Sequence, residues 1–199
     1  MSGKIPQIYD RGYKKLFSNK TFFRQLLESF MPFEWVKELD FEQCELLDKT
    51  FISKEYEQRE SDVIYKVKLR GKQIYIVILI EFQSSPDKFM ALRILHYITN
   101  FYIKLRESTE KFNKLPPIFP IMVYSGQEKW TAETDIADLI ESNELLGEFG
   151  LHFKYFKIAE NEISSERLLA IGNAVSTLFL GEVHFDVELL ARALSQLQC

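Results

Sequence analysis

A chain of 199 residues, 46% hydrophobic and carrying seventeen Phe and nine Tyr, can bury one large core and suits a single domain with a small appendage. Its formal charge of −4 weighs against nucleic acid as a partner, and no apolar run is long enough to span a bilayer. The opening MSGKIPQIYDRGYKK lacks an apolar leader region, and Cys44 and Cys199 form neither a disulfide framework nor a zinc spacing. A reducing, cytoplasmic setting without a membrane partner is expected.

Tyr9 to Phe30 predicts a helix: Tyr13, Leu16, Phe17, Phe23, Leu26, Leu27 and Phe30 recur at three- and four-residue steps, with a break near Ser18-Asn19. Pro32 ends it. Asp10 stands at its start, where a carboxylate suits the helix dipole. Phe33 to Phe41 predicts a turn and a short helix carrying Trp35. Cys44 to Ser53 predicts a weakly alternating strand, and the charged stretch Lys54 to Glu60 a loop.

Arg59 to Asp87 is the most informative stretch. Val63, Tyr65, Val67 and Leu69 alternate with Asp62, Ile64, Lys66 and Lys68, the period of a half-buried strand. Arg70-Gly71-Lys72 is a turn. Ile74 to Ile80 is apolar without a break, as in a strand buried on both faces. It ends abruptly in Glu81-Phe82-Gln83. Residues two apart share a face of a strand, so Glu81 and Gln83 point the same way. A hairpin sets a strand start beside a strand end, bringing Asp62 next to Glu81. Two carboxylates at the rim of an apolar sheet repel each other unless a cation stands between them, which suggests a metal site. Hard oxygen ligands select Mg²⁺ or Mn²⁺.

Ser85-Pro86-Asp87 predicts the start of a helix running to about Arg106, with Met90, Ile94, Tyr97, Ile98, Phe101 and Leu105 as its apolar stripe. Arg93, His96 and Asn100 share another face. His96 reads as a hydrogen-bonded residue beside the core, since no second His stands at ligand spacing. Glu107 to Pro117 is a loop, and Ile118 to Tyr124 a buried strand in which Pro120 points to an edge or a bulge. Asp135 to Glu144 fits a short helix, His152 to Ile158 a last strand, and Ser164 to Leu180 and Phe185 to Gln198 two helices hinged at Gly181.

Charge is unevenly spread. Arg59 to Lys114 holds 11 Lys and Arg against 6 Asp and Glu, whereas Leu115 to Cys199 holds 5 against 13. A basic middle around an acidic pair is a plausible footprint for a phosphodiester backbone. Lys66, Lys68, Arg70, Lys72 and Arg93 are the candidate DNA contacts; the plainer reading is that the hairpin lysines solvate one surface.

The stretches YDRGYKKLFSN, LLDKTFISKEYEQRESDVIYKVK, IYIVILIEFQSSPDKFMALRILHY and LPPIFPIMVYSGQEKW, in that order across most of residues 9 to 130, resemble the Rpn family of recombination-promoting nucleases, transposase-like members of the PD-(D/E)xK superfamily. The resemblance implies Asp62 as the first acid and Glu81-Phe82-Gln83 as the E-x-K triplet. Ser61 stands where the motif has Pro, and Gln83 where it has Lys. It also implies metal ligation by Asp62, Glu81 and the Phe82 backbone carbonyl, with Asp10 as an auxiliary acid. Catalytic roles fall to Asp62, Glu81 and Gln83, whose neutral amide can orient water but cannot act as a base.

The expected fold is α/β: a PD-(D/E)xK restriction-endonuclease-like core with a mixed central sheet flanked by helices. It fills residues 1–160, with residues 161–199 a helical segment packed on it, or the start of a longer region. The expected function is a Mg²⁺- or Mn²⁺-dependent DNA endonuclease linked to recombination or mobile elements. Its partners would be double-stranded DNA and a second copy or a longer family member. The alternatives are a catalytically weak relative that binds DNA or inhibits a partner, and a structural domain whose acidic pair is merely solvated.

Overall fold

The computed structural model describes residues 12–47, 63–81, 85–108, 113–183 and 186–197. Helix α1 is described from residue 12 to residue 17, and α2 runs Lys20–Phe30. The break falls at Ser18-Asn19, as the pattern predicts. Asn19 causes it: its Oδ1 accepts the Thr21 N–H at 2.8 Å and caps α2. A short 3₁₀ helix, Glu34–Glu38, carries Trp35 and leads into the sheet.

Five strands follow: β1 Leu39–Leu46, β2 Val63–Leu69, β3 Lys72–Glu81, β4 Ile118–Tyr124 and β5 Phe156–Ala159. They lie in the order β1-β2-β3-β4-β5. The first two pairings are antiparallel and the last two parallel. Helix α3, Met90–Glu107, is the crossover that parallel pairing of β3 with β4 requires. The result is the expected mixed sheet flanked by helices.

Alternation along β3 divides two cores. Ile74, Ile76, Ile78 and Ile80 face α1, α2 and the C-terminal helices, whereas Tyr75 and Val77 face α3. The unbroken apolar run is thus a strand covered on both sides. On the first face Phe23 of α2 stacks on Tyr65 of β2, with ring centroids 3.8 Å apart. On the second, all six residues of the expected α3 stripe are buried. Helices α4 (Ser165–Ile171), α5 (Ala174–Val183) and α6 (Val187–Gln196) add Leu168, Val175, Phe179, Leu180 and Ala193 to the first core.

Several boundaries differ from the sequence reading. The first strand begins at Leu39, five residues before Cys44, and takes in Cys44 to Leu46 of the expected strand; residues 48–53 of that expectation lie outside the described residues. Helix α3 begins at Met90, because Asp87 Oδ1 accepts the Phe89 N–H at 2.9 Å and turns the chain before the helix starts. Ser85 and Pro86 therefore precede the helix. Pro120 is not at an edge, since β4 lies between β3 and β5. The β4–β5 ladder begins one residue later, at Ile121 with Phe156, which is where a residue without an N–H is tolerated. Asp135 to Glu144 divides into 3₁₀ turns, Ile136–Leu139 and the start of Asn143–Phe149. The last strand is shorter than His152 to Ile158 suggested.

The C-terminal region breaks twice: Gly172 separates α4 from α5, and α5 runs through Gly181 to end at Val183 before α6 begins at Val187, so the expected hinge falls just past Gly181 rather than at it. Gly172 closes α4 at φ 62°, a left-handed conformation natural to glycine, and a Cβ there would lie 3.3 Å from Gln196 Oε1. Gly172→Ala is expected to cost about 1 kcal/mol in urea denaturation. Among the described residues no helix is long and apolar enough to cross a membrane.

Candidate functional site

Glu81 is the last residue of β3 and pairs in register with Tyr124. Its carbonyl accepts the Ser125 N–H at 3.0 Å, so the ends of the two parallel strands are tied together. Strand alternation aims its side chain at the α3 face, where the carboxylate meets Arg93 from the first turn of α3. The same guanidinium binds Asp87, with Nη1 2.6 Å from Oδ2. Arg93 therefore bridges two carboxylates from segments on either side of residues 82–84. All three side chains are largely buried: 14% of Glu81, 22% of Arg93 and 28% of Asp87 remains exposed. Arg93 Nε is buried with no hydrogen-bond partner. A cation thus stands between two carboxylates at the end of β3, but the pair is Glu81 and Asp87 and the cation is an arginine; the expected partner of Glu81, Asp62, lies outside the described residues.

Aromatic groups wall this face. Tyr124 packs edge-on against Trp130, centroids 4.8 Å apart, and the Tyr155 hydroxyl donates to the Glu133 carbonyl at 3.2 Å. Burial pushes the Tyr155 phenol up to about 12; the nearby Glu133 and Asp87 charges reinforce the shift, and a contact with Trp130 opposes it.

The other described candidates are dispersed. Asp10, Asp62, Phe82 and Gln83 lie outside the described residues. Lys66 stands opposite Tyr75 in the β2–β3 ladder, and Lys68 Nζ donates to Gln43 Oε1 at 2.7 Å. Arg70 donates from Nε and Nη2 to the two carboxylate oxygens of Glu38, each at 2.6 Å, on the exposed hairpin end. That contact holds the Glu38 carboxyl below its ordinary range. Lys72 begins β3 and Glu81 ends it. At roughly 3.3 Å per residue the strand separates them by about 30 Å. The fold brings Arg93 to Glu81 and leaves Arg70 and Lys72 at the far end of the hairpin. His96 lies on the exposed side of α3, 3.0 Å from the Asn100 amide.

A second ionisable cluster lies outside the candidates that the sequence suggests. Glu160 follows β5, is completely buried, and both its carboxyl oxygens lack a hydrogen-bond partner. Burial is the main cause that pushes its carboxyl up to about 8; Glu182 of α5 adds to the shift, and the Ser125 and Tyr13 hydroxyls beside it oppose it. The signal was available: Phe156, Ile158 and Glu160 share one phase, and the first two face a core.

The donors fit a hard cation in kind, since the described part of the site offers carboxylate oxygens already drawn to a positive group. They do not complete a site alone: no three His, Cys, Asp or Glu among the described residues are arranged to hold an ion.

The profile of the family described as "Putative transposase, YhgA-like" matches residues 7–195. The chain belongs to this family. Among curated proteins it is 30% identical over 119 residues to the recombination-promoting nuclease RpnC of Escherichia coli K12, covering 60% of this chain and 39% of that one. It is 25% identical over 118 residues to the recombination-promoting nuclease RpnD of E. coli O157:H7, covering 59% and 45%. It is 27% identical over 155 residues to the inactive recombination-promoting nuclease-like protein RpnE of E. coli K12, covering 74% and 50%. The matches thus span half or less of each of these relatives. No solved structure shows significant similarity to the chain. The family is one of recombination-promoting nuclease and transposase-like proteins, and it includes members named as inactive.

Proposed function

We propose that the chain is the core of a divalent-metal-dependent DNA endonuclease that hydrolyses phosphodiester bonds during recombination or mobile-element activity. The observation that carries this reading is the largely buried Glu81, held with Asp87 by Arg93 at the joined ends of β3 and β4. Asp62, Glu81 and the Phe82 carbonyl would hold Mg²⁺ or Mn²⁺, with Asp10 as an auxiliary acid. Such an ion, when bound, offsets phosphate charge and acidifies water. The chain's own residues then orient and neutralise. Arg93 fixes the Glu81 carboxylate and presents a guanidinium, a good geometric match for phosphate. The Gln83 amide would orient water or a phosphate oxygen. Lys66, Lys68, Arg70 and Lys72 would follow the duplex along the hairpin.

A second reading, a catalytically weak relative that binds DNA or a longer family member and restrains it, draws on the inactive name of RpnE and on the charge missing at Gln83. One assay separates the two. Supercoiled plasmid incubated with Mg²⁺, Mn²⁺ or EDTA is expected to be nicked with metal and intact without it, and Asp62→Asn is expected to abolish nicking. Retarded but uncut plasmid would favour the second reading.

A further inference from the structure

The segment joining β4 to β5 bears an unpartnered apolar knob. Leu145, Leu146 and Phe149 are 78%, 61% and 82% exposed. Solvent does not favour such exposure, and the backbone is not free to withdraw them. The buried Asn143 donates its side-chain amide to the Leu151 carbonyl at 3.2 Å, and its Oδ1 accepts the Leu151 N–H at 3.0 Å. Gly150 packs so closely on Asn143 that a Cβ would lie 2.9 Å from its carbonyl oxygen. The loop is clamped shut with its apolar side chains outward, and a rigid presentation lowers the ordering cost of binding. The knob is also acidic: Thr131 to Leu151 exposes Glu133, Asp138, Glu141, Glu144 and Glu148 and contains no Lys or Arg, while Asp135 is buried and paired with Lys154. DNA is therefore a poor occupant.

The same side of the sheet carries the complementary surface. Along the outer stripe of α3, Phe89, Leu92 and Ile103 are 47%, 52% and 49% exposed. Lys88 lies over the Phe89 ring, 5.0 Å from its centroid. Lys104 and Arg106 flank the other end. Beside it the Tyr102 hydroxyl donates to the Pro116 carbonyl at 2.9 Å, which brings the exposed Lys114 and Leu115 alongside. One patch is apolar with only acids, the other apolar and mainly basic.

We infer that the acidic Leu145–Phe149 knob of one copy docks on the basic outer stripe of α3 of a second copy. Reciprocal contact across a two-fold axis buries both patches twice and closes the assembly as a dimer. The inference does not depend on the nuclease reading.

Sedimentation of the full chain without DNA tests it. The parent is expected to dimerise. Phe149→Ala, an exposed site whose loss spares the core, is expected to raise the dissociation constant about thirtyfold with an unchanged melting curve. Glu144→Lys/Glu148→Lys and Lys88→Glu/Lys104→Glu are each expected to be monomeric, because each sets like charges face to face. Mixed, they should form a heterodimer with both contacts attractive. A monomeric parent at every concentration overturns the inference. So does a dimer indifferent to Phe149→Ala, or a mixture of the two charge variants that does not associate.

Discussion

Glu160→Gln is expected to stabilise the protein at neutral and alkaline pH and to leave it nearly unchanged near pH 4. In the folded chain burial holds the Glu160 carboxyl protonated up to about pH 8, whereas the unfolded chain releases that proton near the ordinary value of 4.5. Between these values the folded state binds more protons than the unfolded one, so stability falls as pH rises through the window. The slope is about 1.4 kcal/mol per pH unit from this group alone. Above the folded value the penalty is fully present. Glutamine keeps the shape and removes the titration, while Ser125 and Tyr13 remain beside it. The variant should therefore gain about 2–4 kcal/mol relative to the parent by pH 9, with the gap closing toward pH 4. Urea unfolding of both proteins across that range measures it. Parallel pH profiles would mean that Glu160 ionises with little cost, through water or a bound cation.

Arg93→Met has the second large effect, because the guanidinium is the compensating charge seen between Glu81 and Asp87. Removing one partner of a buried ion pair typically costs about 3–5 kcal/mol, since the remaining charges lose their compensation. All three groups here keep some water, so about 2–3 kcal/mol is expected. The response to metal supplies the sign that a purely structural ion pair cannot. In the parent, a divalent cation must compete with Arg93 for the Glu81 carboxylate. In Arg93→Met that competitor is gone, and Mn²⁺ or Mg²⁺ should raise the melting temperature more than it raises that of the parent. Glu81→Gln added to Arg93→Met should erase the extra response. Equal metal shifts in the parent and Arg93→Met would remove Glu81 from the metal site; an unchanged stability on mutation would make the bridge a solvated surface pair.

Patterns that report burial were legible in the chain. The period of two over Val63 to Leu69, the unbroken apolar run to Ile80 and the stripe from Met90 to Leu105 each found the element they describe. So did Ile118 to Tyr124, whose strand matches the expected bounds. Side-chain contacts over short distances blurred the rest. The Asp87 contact to Phe89 delays α3 by several residues beyond Pro86, and β1, an edge strand with mostly solvated side chains, has no clear period.

The sequence by itself determined that a hydrophobic strand ends in Glu81 on a named face, because strand periodicity is a local property of consecutive residues. Only the tertiary structure decided what that carboxylate meets. Arg93 is twelve residues away in sequence and reaches Glu81 because α3 crosses back over the sheet; Arg70 and Lys72 are slightly nearer in sequence but lie at the opposite end of β3. Glu160 makes the same point in reverse. Its inward phase could be read from Phe156 and Ile158, yet its burial without a compensating charge depends on α1, α5 and the end of β4 closing over one spot. Charges are paired or stranded by elements that meet only when the chain is folded, and no local period records such meetings.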